Sequence, residues 1–93
     1  DAPLFRQQAE AIDEYIPKQY SSIVRHYLPH LTKSHIQTVK KGKVVDWEVH
    51  CVLAFIAGVK TQLPKDLEIQ LPRGIDLKDV LELKQEQIFK KIA

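Results

Sequence analysis

Between residues 18 and 45 the chain has no aspartate and no glutamate. The same stretch holds six Lys or Arg residues (Lys18, Arg25, Lys33, Lys40, Lys41, Lys43) and three histidines. Its flanks differ: residues 1–17 carry four acids against one base, and residues 46–93 carry eight acids against seven bases. A net charge of only +2 therefore conceals a strongly basic middle. Local positive charge concentrates polyanions, whether a phosphate backbone, an acidic lipid surface or an acidic protein.

Other scarcities narrow the class further. A single cysteine, Cys51, excludes an internal disulfide framework and favours a reducing, intracellular setting. No run of residues approaches the roughly 20 apolar positions of a transmembrane segment. Only Gly42, Gly58 and Gly74 supply glycine, so neither a GxGxxG turn nor a Walker loop is present. There is no methionine. A chain that starts at Asp1 without one reads as processed, or as a domain excised from a longer protein.

What is present suits one small globular domain spanning residues 1–93. A chain this short buries roughly 60–65% of the surface it exposes when unfolded, enough for one modest core. Its 44% hydrophobic and 28% charged residues are ordinary globular material.

Helical periodicity dominates. Over residues 3–16, Leu4, Phe5, Ala9, Ala11, Ile12, Tyr15 and Ile16 share one arc and Arg6, Glu10, Asp13 and Glu14 the other. Residues 18–28 place Tyr20, Ile23, Val24, Tyr27 and Leu28 at helical spacing, and Pro29 ends the pattern. Residues 34–45 admit two readings. One is a short helix over 35–41, capped by Ser34 and stopped by a left-handed Gly42. The other is a hairpin around Lys41 and Gly42. The helix is preferred, because an isolated two-stranded ribbon is marginal.

Residues 47–63 follow Asp46, a good N-cap, and are apolar on every side, as a buried central helix requires. Ile56 on that helix is expected to be fully buried. Prolines bound a connector in which Leu67, Ile69 and Leu71 alternate with Glu68 and Gln70, which suits an extended strap over 66–71. Asp76 caps a last helix over 77–92, with Asp79 in its first turn. The expected fold is all-α: a bundle of four to five helices around the central one.

For function, Lys18, Ser22 and Arg25 fall on the outward face of the second helix, and Lys33, Lys40, Lys41 and Lys43 follow in the basic segment. Cations beside hydroxyl donors suit phosphate oxygens, by attraction and by hydrogen bonding. A solvated face that complements the acidic first helix is the plainer alternative. Tyr20 and Tyr27 fall on the apolar arc, so they read as core rather than as a stacking platform, which Trp47 alone supports weakly. His26, His30, His35 and Cys51 are zinc-capable, but Pro29 breaks the helix on which the first two would pair, so no metal or other cofactor is expected. Cys51 lies among apolar neighbours and reads as a small hydrophobe, and no catalytic constellation emerges.

These residues point first to a non-enzymatic module that binds nucleic acid through phosphate contacts, with little base readout. A protein-interaction or assembly domain with an acidic protein partner is the second reading. Peripheral attachment to anionic membrane through the same lysines is the third.

Overall fold

A computed structural model describes residues 2–81, which form five helices and no strand. They are α1 (Ala2–Asp13), α2 (Tyr20–Tyr27), α3 (Lys33–Lys40), α4 (Trp47–Ala57) and α5 (Leu77–Val80). None is long and apolar enough to cross a membrane. The last helix, expected over 77–92, ends at Val80, because Leu81 is extended and bridges Thr61; residues 82–92 lie outside the described residues.

The architecture is built around α4, which packs against each of the other four helices. From Val49 to Ala54 every α4 residue is buried, and so is Trp47. Phe5, Ala9 and Ile12 of α1 supply one cover, Val24 of α2 a second, and Ile36 and Val39 of α3 a third. Phe5 meets Trp47 edge-on, with ring centroids 5.0 Å apart. The strap lies over the remaining side: Leu67, Ile69 and Leu71 are half-buried against the core, Glu68 and Gln70 are exposed, and Ile75 is buried.

Local chemistry sets the helix ends. Thr32, not Ser34, caps α3: its side chain accepts from the His35 N–H at 3.1 Å. Asp46 caps α4 by accepting from the Val49 N–H at 3.2 Å. At the first residues of α5 the Asp79 carboxylate accepts from the Asp76 N–H at 3.1 Å.

Helices α3 and α4 close in the same way. The Lys43 N–H reaches the Thr38 carbonyl and the Gly42 N–H reaches that of Val39. At the end of α4, Val59 and Gly58 donate to Ala54 and Phe55 in the same pattern. Each closure needs a residue with positive φ, supplied by Gly42 at 78° and Gly58 at 72°.

Gly58 therefore corrects the expected central helix: α4 stops at Ala57, not at residue 63. Ile56, near that end, is half-buried against the core rather than fully buried. Leu53→Ala is expected to cost on the order of 2–5 kcal/mol in a denaturant titration, and Ile56→Ala distinctly less.

His50 is buried, and it ties three segments together. The Gln62 backbone N–H donates to Gln8 Oε1 at 3.1 Å, so this atom is the amide oxygen. The Thr61 hydroxyl, 3.1 Å away, must donate to the same oxygen. Its own oxygen then accepts from His50 Nε2–H at 2.7 Å. The imidazole is thus neutral and protonated on Nε2, and burial lowers its pKa from 6.5 to about 4.

The unfolded chain binds a proton at His50 more readily than the native one does. Native stability from this group is complete above pH 6.5 and is lost as pH falls from 6.5 towards 4. The loss should approach about 3 kcal/mol, and urea titrations of the parent across that range should show a dependence that shrinks in His50→Gln.

Candidate nucleic-acid interface

Residues 28–32 connect α2 to α3, and the two helices pack together at the edge of the bundle. Their buried positions, Val24 on one and Ile36 and Val39 on the other, are taken by the core. The polar residues are left facing outward by that choice. On α2, Ser22, Arg25 and His26 are exposed. On α3 and its C-cap, Lys33, Ser34, Gln37 and Lys41 fall within an arc of about 100° at helical spacing. Lys33, Ser34 and Lys41 are exposed and Gln37 is half-buried.

The sequence-derived candidates occupy three settings. Lys18 lies in the turn before α2 rather than on the helix. Ser22 and Arg25 share the outward face of α2, and Lys33 begins α3. Lys40, Lys41 and Lys43 cluster where α3 closes. That closure rests on α1: a Cβ placed on Gly42 would meet Arg6 Cγ at 3.4 Å and Ala9 Cβ at 3.7 Å.

Lys40 stands apart from the others. Its ammonium donates to Asp13 Oδ1 at 2.7 Å and lies 5.3 Å from the centroid of the Tyr20 ring. Only 22% of the side chain is exposed. Lys18, Arg25, Lys33, Lys41 and Lys43 are exposed and form no ion pair among the described residues. The five free cations come from one turn, two helices and one helix closure that the core holds in fixed relation.

His35 Nε2 sits 2.8 Å from Asp46 Oδ2, joining α3 to the cap of α4. His26 is on α2 and His30 in the turn after it, so the two do not share a helix. Among the described residues no three His, Cys, Asp or Glu side chains are grouped as metal ligands. Trp47 is buried against Phe5 and His50, which removes it from any exposed stacking surface. Tyr20 and Tyr27 are half-buried against the core. Sequence reasoning did not single out Gln37, and it used Ser34 only as a cap. Starting the third helix at residue 35 leaves Lys33 and Ser34 off the arc that they share with Gln37 and Lys41.

Cys51 is fully buried. Burial pushes its thiol up to about 12, and the Glu48 carboxylate adds to the rise. Native-state labelling with a maleimide is expected to be far slower than labelling in urea. Fast native labelling would mean that α4 is not enclosed as described.

No family model, curated protein or solved structure matches the chain.

Proposed function

We propose that this is a nucleic-acid-binding module that docks on duplex DNA through α2, the turn after it, and α3. The observation that carries the reading is the set of five exposed, acid-free cations: Lys18, Arg25, Lys33, Lys41 and Lys43. Two packed helices of eight residues each, joined by five, support it further. A helix–turn–helix unit is similar, although its linker of about three to four residues is shorter than the five here. In that geometry the first helix crosses the phosphate backbone and the second lies in the major groove. Ser22 and Arg25 of α2 are of the right chemistry for phosphate oxygens, and α3 would present Lys33, Ser34 and Gln37 from its first five residues.

A second reading also has an observation in its favour. Val44 and Val45, next to Lys43, are 40% and 46% exposed. Apolar side chains beside a lysine suit an anionic membrane or a protein surface, and two valines make only a small patch.

Fluorescence anisotropy with a labelled 20-base-pair duplex, against anionic vesicles in parallel, separates the two. Three to five phosphate contacts give a log–log salt slope of roughly −3 to −4.5. Reversing Lys33, Lys41 and Lys43 to Glu should flatten the slope and leave the circular dichroism unchanged. Binding to vesicles alone, or binding to DNA that ignores salt, would overturn the reading.

A further inference from the structure

We infer that the Asp13–Lys40 pair is an internal competitor for the DNA phosphate, so that Lys40 is a sixth contact held in reserve. This rests on the DNA-binding reading above and concerns the same surface.

Asp13 is the last residue of α1, which has no basic residue in its own last turn. A carboxylate at a helix C-terminus faces the negative end of the helix dipole and gains from a cation brought to it. Lys40, the last residue of α3, provides that cation at 2.7 Å. Asp13 is nevertheless 53% exposed, and an exposed ion pair is weakly held. A phosphate oxygen can therefore replace the carboxylate oxygen at little cost.

Two further features fit an exchange of partners. The Tyr20 ring holds the Lys40 ammonium from another side, and a cation over a ring stays attracted to it whichever anion it faces. The pair also borders an open groove of about 390 Å³, lined by Ala9, Glu10, Asp13, Lys40 and Lys41. Lys41 on the same groove is exposed and has no ion pair among the described residues. A phosphate entering there meets Lys41 alone while Lys40 is held by Asp13, and both lysines once Asp13 has let go, with the Glu10 carboxylate on the lining in either case.

The test uses the labelled duplex and three variants: Asp13→Asn, Glu14→Gln and the double variant Asp13→Asn with Lys40→Gln. Asp13→Asn should bind several-fold tighter at about 0.1 M salt, with the slope steeper by about 0.9, the value of one added phosphate contact. Glu14→Gln removes the same charge one residue on and should raise affinity without steepening the slope. The double variant should return to the parent slope. Circular dichroism checks that each variant folds.

Equal slopes in the parent and Asp13→Asn, with the parent binding DNA, overturn this inference and leave the DNA-binding reading standing. A parent with no salt-dependent DNA binding overturns that reading, and this inference with it.

Discussion

A helix that is apolar on every side is tolerated in water only where other elements cover its whole circumference. Residues 49–54 of α4 impose that demand here, since all are buried. The other helices are short, between four and twelve residues, and helices of this length are marginal by themselves. They persist because each spends its one apolar face on α4. The outward chemistry of these helices is therefore whatever their α4-facing residues leave behind.

For α2 and α3 the remainder is basic and hydroxyl-bearing. Val24 fixes the roll of α2, so Ser22 and Arg25 must face out; Ile36 and Val39 do the same for Lys33, Ser34 and Lys41 on α3. The cations are thus carried on rigid elements, which holds their spacing constant. A binding surface made this way loses little side-chain and backbone freedom beyond the lysine and arginine tails themselves when it meets a polyanion.

Local signals in the sequence were readable where one residue decides the outcome. Asp46 as a cap and Gly42 as a left-handed stop are of this kind. Gly58 is hidden as a stop because the apolar pattern of the central helix runs on past it to residue 63. Thr32 was passed over for Ser34 because both are good caps and only the backbone path chooses between them. The basic segment itself was legible as composition, but the partition of its cations was not. Asp13 and Lys40 lie 27 positions apart, and nothing local pairs them. His50 is similar: its partner Thr61 comes from a segment beyond α4, and Thr61 in turn donates to Gln8 near the start of the chain. A buried neutral histidine has no one-dimensional signature.

Asp46 spans a joint between two helices. One carboxylate oxygen receives the Val49 N–H at the start of α4, and the other meets the His35 ring on α3. Sliding α3 along α4 would lengthen one of these contacts or twist the other. The first turns of the two helices are therefore linked through one side chain. Local unfolding that begins at either helix start is expected to run through both as one unit. The outer helix of the bundle thereby borrows resistance to fraying from the most deeply enclosed one.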